Sequence, residues 1–288
     1  MSIAEIFKKK STVYSFEVFP PKKTSSIDTI YSTLDELQGL KPDFISVTYG
    51  AGGNPADSST CDIASVIKNK YGIQPLAHLT CVNNSRQDIM VILQRLKENG
   101  IENIMALRGD INPDVPPKTD FRHASDLVEF IKQNGDFHIS GACYPEGHVE
   151  SENLIQDILN LKKKVDAGAE HLVTQLFFDN SAFYSFVERA RIAGINVPIS
   201  AGIMPVVNKN QIERMVTLTA ASLPAKFTRM LSKYEHHPEA LRDAGIAYAI
   251  DQIVDLVSNG VQGIHLYTMN NPYVARRITE AVSSIISL

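Results

Sequence analysis

One carboxylate, Glu17, sits inside the apolar run Val13-Tyr14-Ser15-Phe16-Glu17-Val18-Phe19, and Pro20-Pro21 stop that run at once. Along a strand, alternation places Ser15, Glu17 and Phe19 on one face and Phe16 and Val18 on the other, which turns the carboxyl group toward a partly dry interior. Burial favours the neutral acid, and a carboxyl group kept neutral near pH 7 can donate a proton. The competing reading is a structural acid held by an Arg, a Lys or backbone amides. Other polar side chains stand at the ends of similar runs: Thr48, His78 to Thr80, Arg108 and Asp110, Tyr144, Gln175, and Tyr267 to Asn270. Each alone reads as a satisfied interior group. Their shared position at strand ends describes one polar rim.

The elements that must carry this rim are eight β-rich runs: Thr12 to Phe19, Phe44 to Tyr49, Gln74 to Cys81, Asn103 to Arg108, His138 to Tyr144, His171 to Phe178, Val197 to Ile203 and Gly263 to Thr268. A segment of helical periodicity follows each of them. In Glu152 to Ala167, for example, Leu154, Ile155, Ile158, Leu161 and Val165 recur at steps of three or four. Joints such as Asn99-Gly100-Ile101, Ala167-Gly168-Ala169 and Asn259-Gly260-Val261 have the glycine that ends a helix before a strand. Eight βα units predict an α/β protein, a closed (β/α)8 TIM barrel forming one domain over residues 1–288. An open doubly wound sheet would show a glycine fingerprint after its first strand. Gly50-Ala51-Gly52-Gly53 leads instead into Asn54-Pro55 and reads as a tight loop.

A formal charge of -4 among 288 residues excludes the basic stripe that nucleic acid or an anionic membrane surface requires. Small-molecule chemistry is the expectation. Cys61, Cys81 and Cys143 are odd in number and have no Cys-x-x-Cys or His-x-x-x-His partner spacing, so they read as reduced core thiols, with no metal site. Residues 1 to 10 lack a secretory apolar core and no run of 18 apolar residues follows, which predicts a cytoplasmic protein. Asp157, Asn160 and Lys164 share a helix face at i, i+3 and i+7, and periodicity alone reads that face as a solvated flank. Lys8-Lys9-Lys10 and Lys162-Lys163-Lys164 read as solvated runs, and His236-His237-Pro238 as a loop.

Seven motifs, taken together and in order, resemble bacterial methylenetetrahydrofolate reductases. They are Ser15-Phe16-Glu17-Val18-Phe19-Pro20-Pro21, Val47-Thr48-Tyr49-Gly50-Ala51, His78-Leu79-Thr80-Cys81, Leu107-Arg108-Gly109-Asp110, Ala142 to His148, Thr174 to Asp179 and Gly202-Ile203-Met204-Pro205. The resemblance covers essentially the whole chain. It implies an FAD-containing barrel of one-carbon metabolism, on the route to methionine, that reduces 5,10-methylenetetrahydrofolate to 5-methyltetrahydrofolate. By resemblance Glu17 is the general acid that protonates folate N10, opening the ring to a 5-iminium cation that accepts hydride from flavin N5. Asp110 would lie near flavin and pterin, and Gln175 would hydrogen-bond the pterin. Thr48, Tyr49, Ala51, His78, Arg108, Gly109, Asp110, Ala124, Tyr144, His148, Asp157, Asn160 and Lys164 match positions that hold FAD in the family.

Two positions depart from a well-known branch of the family. Lys209 follows Asn208 where that branch has a phenylalanine that packs on substrates, and Asn271 follows Asn270 where it has an arginine involved with folate. Lys209 and Asn271 are therefore expected to meet substrate in a different way. Some family members draw electrons from an iron–sulfur partner subunit, so the implied donors are NADH, NADPH or such a partner, and self- or hetero-association stays open. The rival functions are a pterin-binding methyltransferase barrel without redox chemistry and a non-catalytic folate- or flavin-binding subunit.

Overall fold

Eight short strands alternate with helices and pair, each with the next, all in parallel: β1 Val13–Val18, β2 Phe44–Val47, β3 Gln74–Thr80, β4 Asn103–Leu107, β5 His138–Cys143, β6 Ala169–Thr174, β7 Ile199–Ile203 and β8 Gly263–Tyr267. Pairing of β8 with β1 closes the ring into a (β/α)8 barrel, as the count of βα units predicts. The computed structural model describes residues 1–21, 25–49, 59–111, 116–208, 211, 212, 215, 219 and 221–288. Ala51 and Lys209, together with the Gly50 to Gly53 turn and most of the stretch from 209 to 220, lie outside the described residues.

Alternation sorts each strand into two cores. Tyr14, Phe16 and Val18, Ile45 and Val47, and their counterparts face outward and pack on the helices in the main apolar cluster. Val13, Phe44, Leu76, Met105 and Val173 face inward and fill the lower barrel. A first helix, α1 (Ile3–Phe7), closes that lower end: Ile3 and Ile6 join the inward cluster, and the Ile3 amide donates to Asn103 Oδ1 at 3.0 Å. Full burial of a side chain such as Phe44 contributes roughly 1.5–3 kcal/mol. The upper end is left for polar groups.

The outer helices begin with α2 (Asp28–Leu37), α3 (Ser59–Tyr71), α4 (Arg86–Glu98) and α5 (Ala124–Asn134), and continue with α6 (Leu154–Asp166) and α7 (Asn180–Ile192). Local chemistry starts them. Ser85 and Asp88 form a reciprocal capping box on α4, Asn153 caps α6 by accepting from the Gln156 amide, and Asp179 caps α7. The seventh connection is long, with helices Ala225–Tyr234 and Pro238–Ser258 before β8. Gly245 in the second of these admits the Val206 carbonyl so closely that an added Cβ would overlap it. Phe178 stacks on Phe227 at 4.4 Å beneath this connection, part of a separate apolar cluster.

Six strands end one or two residues before the sequence runs do, β7 begins two residues later, and β6 differs most. The Gln175 amide still donates to the Cys143 carbonyl at 2.7 Å, but past it the acceptors are claimed elsewhere: Gln252 donates to the Phe177 carbonyl and the Tyr248 hydroxyl to the Phe178 carbonyl. At the other end, β6 begins already at Ala169, immediately after Gly168 at φ 122 turns the chain out of α6. Among the described residues no helix is long and apolar enough to cross a membrane.

Candidate active site

Glu17 stands next to last in β1 with its side chain turned into the barrel, as alternation requires. Its strand neighbours are Ser46 on β2 and Tyr267 on β8. The carboxyl group is 18 % exposed, and three groups converge on its Oε2: Ser46 Oγ donates at 3.2 Å, His78 Nε2 lies at 3.4 Å and His265 Nε2 at 3.6 Å. Burial works to raise its pKa, but the His265 hydrogen bond, the charges of His78 and His265 and the Ser46 hydroxyl outweigh burial and hold it below the ordinary carboxylate value. This corrects the expectation that burial keeps Glu17 neutral. The partners that reverse the shift come from β2, β3 and β8 and are invisible from β1 alone.

The backbone at Glu17 is held as tightly as the side chain. After β8 the chain turns through Met269 and Asn270, both at φ 52. This unusual pair of left-handed residues aims Asn270 at Phe19: its Oδ1 accepts from the Phe19 amide at 3.1 Å and its Nδ2 donates to the Phe19 carbonyl at 2.8 Å. Thr268 Oγ1 donates to the Glu17 carbonyl at 2.6 Å. The Tyr267-Thr268-Met269-Asn270 motif therefore works as a clamp on the end of β1.

A cavity of about 590 Å³ opens above Glu17, and Thr48, Tyr49, His78, Arg108, Gly109, Asp110, Tyr144, His148 and Gln175 line it with the acid. These residues come from the ends of β1 to β6, so the barrel brings together the rim read from sequence. Gly109 takes φ 88, and a Cβ there would meet Thr80 Cβ and Val82 Cγ1 at 3.0 Å, which keeps the β4 rim low. The Gln175 side chain accepts from its own Leu176 amide at 2.9 Å. Tyr144 meets His148 edge to face at 4.7 Å, and burial pushes its phenol up to about 12. His78 is pushed down by burial against the pull of Glu17.

A second cavity of about 240 Å³ continues from the first, sharing Leu107, Arg108, Ala142, Tyr144 and His148 with it. Ala124 on α5 and Asp157, Asn160 and Lys164 on α6 line this extension. Asp157 and Lys164 on the i, i+3, i+7 face are therefore drawn into a cavity wall, whereas Asn160 stays exposed at its edge, so the solvated-flank reading holds only for Asn160. Asp157 Oδ1 accepts from the His148 amide at 3.2 Å and from Ser151 Oγ at 2.8 Å, which folds the β5–α6 loop over the pocket. Lys164 reaches under it to donate to the Ala142 carbonyl at 2.6 Å, and burial lowers its pKa. Arg108, at the junction of the two cavities, is bidentate on Glu150, at 2.5 and 2.8 Å.

Asn271 has a different position from the one expected. It caps the helix Pro272–Ile286, accepting from the Val274 amide at 3.2 Å, and lines neither cavity. Sequence reasoning does not single out Ser46, Asn83, Glu150 or His265. For Ser46 and His265 the signal was present: each is a polar residue two places before a rim residue, hence on the same inward face. Asn83 and Glu150 lie on loops and had none.

The two joined cavities suit a long ligand with a ring at one end and anionic groups beyond it. Asn83 Oδ1 is buried without a hydrogen-bond partner among the described residues, on the wall of the larger cavity, and His78 Nε2 makes no hydrogen bond either. Around the smaller cavity Arg108 and Lys164 are hydrogen-bond donors, with the carboxylates of Glu150 and Asp157 beside them. The residues present thus fit an FAD-like group. Among the described residues no three His, Cys, Asp or Glu side chains are grouped to hold a metal ion.

A family model described as methylenetetrahydrofolate reductase matches residues 2–283. A 5,10-methylenetetrahydrofolate reductase of Pectobacterium carotovorum subsp. carotovorum is 41% identical over 256 residues, 89% of this chain and 85% of that protein. The protein of the same name from Escherichia coli (strain K12) is 40% identical over 89% of this chain and 86% of its own length. A methylenetetrahydrofolate reductase (NADH) of Arabidopsis thaliana is 38% identical over 93% of this chain, which spans 48% of that longer protein. Among solved structures, an uncharacterized Clostridium thermocellum protein that binds two copies of 5-methyl-5,6,7,8-tetrahydrofolic acid superposes with a TM-score of 0.66 at 15% identity, covering 98% of this chain and 97% of that one, and shares the fold.

Proposed function

The chain belongs to the methylenetetrahydrofolate reductase family of oxidoreductases, and from that premise we propose that it reduces 5,10-methylenetetrahydrofolate to 5-methyltetrahydrofolate with FAD held across the joined cavities and Glu17 as general acid. The observation that carries this reading is the placement of one titratable carboxylate at the floor of a cavity that also holds Asp110 and Gln175 and continues to Lys164. A bound flavin would supply the hydride that the methylene carbon accepts. The binding of a reduced folate by the Clostridium thermocellum protein agrees with a folate at such a barrel mouth.

Each residue has a defined task in this reading. Thr48, Tyr49, His78, Gly109 and Tyr144 hold the ring end of FAD, with Ala51 outside the described residues as a further candidate. Arg108, Ala124, His148, Asp157, Asn160 and Lys164 hold its far end. Asp110, exposed at the rim, supplies negative charge where the folate becomes cationic, and Gln175 turns an amide toward the pterin. Glu17 holds the proton for the ring nitrogen that must become a leaving group. Covering the mouth excludes water and orients acid and acceptor together. Lys209, outside the described residues, remains a candidate for substrate contact, whereas Asn271 acts through the fold of the last helix. For the electron donor we propose NADH, with NADPH or an iron–sulfur partner subunit as the alternatives.

The purified chain should be yellow. Glu17→Gln should keep a bound, reducible flavin yet slow folate-driven flavin reoxidation by about 10²–10⁴, the usual worth of general acid catalysis. A colourless protein, or near-normal folate turnover in that variant, defeats the proposal. Reduction of the bound flavin by a dye donor but by neither NADH nor NADPH selects the partner subunit.

A further inference from the structure

Beneath Glu17, inside the barrel, lies a buried polar chain that the reaction as described does not use. Ser15, Ser46 and His265 are each 0 % exposed. Ser15 Oγ lies 3.2 Å from the Ile264 carbonyl and 2.8 Å from His265 Nδ1. With the hydroxyl proton on the carbonyl, Oγ accepts from Nδ1–H. That arrangement leaves Nε2 as the variable atom. It faces Ser46 Oγ at 3.3 Å and Glu17 Oε2 at 3.6 Å, and Ser46 Oγ in turn lies 3.2 Å from the same Oε2.

We propose that His265 is a positioning residue that shares one proton with Glu17 through the Ser46 hydroxyl. The proposal rests on the reading of Glu17 as general acid and deepens it. In one arrangement His265 is an imidazolium, Nε2–H donates to Ser46, and Ser46 donates to the Glu17 carboxylate. In the other, the Nε2 proton has moved to Ser46 Oγ while the hydroxyl's own proton has moved to Oε2, leaving a neutral ring and a neutral acid. One proton shifts along the chain, total charge is unchanged, and every buried polar atom keeps a partner. The first arrangement accounts for a carboxyl group that rests ionised in the open cavity. The second supplies the acid once substrate covers the mouth and water can no longer deliver a proton. After the proton leaves for the folate nitrogen, solvent restores it through the partly exposed Glu17.

Further side chains surround the His265 ring. Phe44 from β2 stacks on the ring at 5.9 Å and 18°, a face that attracts positive charge. His171 from β6 is pushed down to about 3 by burial and by His265 itself. His78 from β3 is pushed down by burial against the attraction of Glu17. Tyr267, next but one on the same strand, is edge to face at 5.4 Å, donates its hydroxyl to the Thr174 carbonyl at 2.6 Å and is held neutral, chiefly by burial.

The test is ¹⁵N-histidine NMR on the full chain, with His265 assigned by the signals lost in His265→Gln. The expected result is Nδ1 protonated throughout, with Nε2 titrating, and a titration that falls by about one pH unit or more in Glu17→Gln. Ser46→Ala, whose fold is checked by circular dichroism, should weaken that coupling. A neutral Nε2–H ring at every pH, or a titration unmoved by Glu17→Gln, overturns the proposal. In the flavin-loaded enzyme, His265→Gln should slow folate-driven reoxidation about tenfold or more and shift its pH profile, with flavin content and dithionite reduction unchanged. An unshifted profile also overturns it. Normal folate turnover in Glu17→Gln alongside intact NMR coupling would instead remove the general-acid reading and leave the shared proton standing.

Discussion

Replacing Asn270 by alanine removes the clamp that ties the end of β8 to Phe19, and its cost divides into two parts that a second variant separates. Two hydrogen bonds to the Phe19 amide and carbonyl disappear, each worth about 0.5–1.5 kcal/mol net. The backbone at φ 52 costs an alanine roughly 1–2 kcal/mol, which asparagine reduces and glycine avoids. Asn270→Ala should therefore lose about 2–4 kcal/mol. Asn270→Gly should lose only the hydrogen-bond part, about 1–3 kcal/mol, and be the more stable of the two by about 1 kcal/mol. For a chain of this size each kcal/mol moves the melting temperature by roughly 2–4 °C, so thermal melts monitored by circular dichroism resolve the difference. Alanine equal to or better than glycine would refute the backbone argument. Loss of less than 0.5 kcal/mol (roughly the smallest net worth of one such bond) in both would refute the clamp.

Three further outcomes follow from the same geometry. Gly109→Ala places a methyl group 3.0 Å from Thr80 and Val82 at φ 88; it should cost about 1–3 kcal/mol and lower the flavin retained through gel filtration. His171, buried between Ser140 and Ser200, has its folded pKa pushed down to about 3, below the unfolded value, so the stability it confers is complete above pH ~6.5 and is lost as pH falls. Between pH 6.5 and 5 that loss amounts to about 2 kcal/mol, and His171→Gln should flatten the pH dependence of the urea midpoint by that amount; an unchanged slope would show that another group carries it. Thr268→Val removes the 2.6 Å bond to the Glu17 carbonyl and should lower folate turnover more than flavin content, as a stopped-flow comparison of the two half-reactions would reveal.

The barrel was legible because strand-like runs recur eight times, several of them just after a helix-ending glycine, and the inward aim of Glu17 followed from its strand parity alone. The Asp157, Asn160 and Lys164 face was legible as geometry but its use was not, since nothing local says that the β5–α6 loop folds back to cover it. The protonation of Glu17 was misjudged for a similar reason: Ser46, His78 and His265 lie 29 to 248 positions away in the chain, and only closure of the ring brings them to one oxygen. Asn271 illustrates the opposite error. It stands beside a functional motif, yet its side chain answers a local demand, the open amide at the start of the last helix.

The bonds from Thr268 and Asn270 to Glu17 and Phe19 join the last strand of the ring to the first. During translation the acid is therefore made well before it is fastened. Until the segment carrying His265, Thr268 and Asn270 has cleared the ribosome, Glu17 lacks both its backbone anchor and His265, so a nascent chain cannot assemble the acid's surroundings. Carboxy-terminal truncations that stop short of Asn270 should for that reason abolish the chemistry outright rather than erode it by degrees.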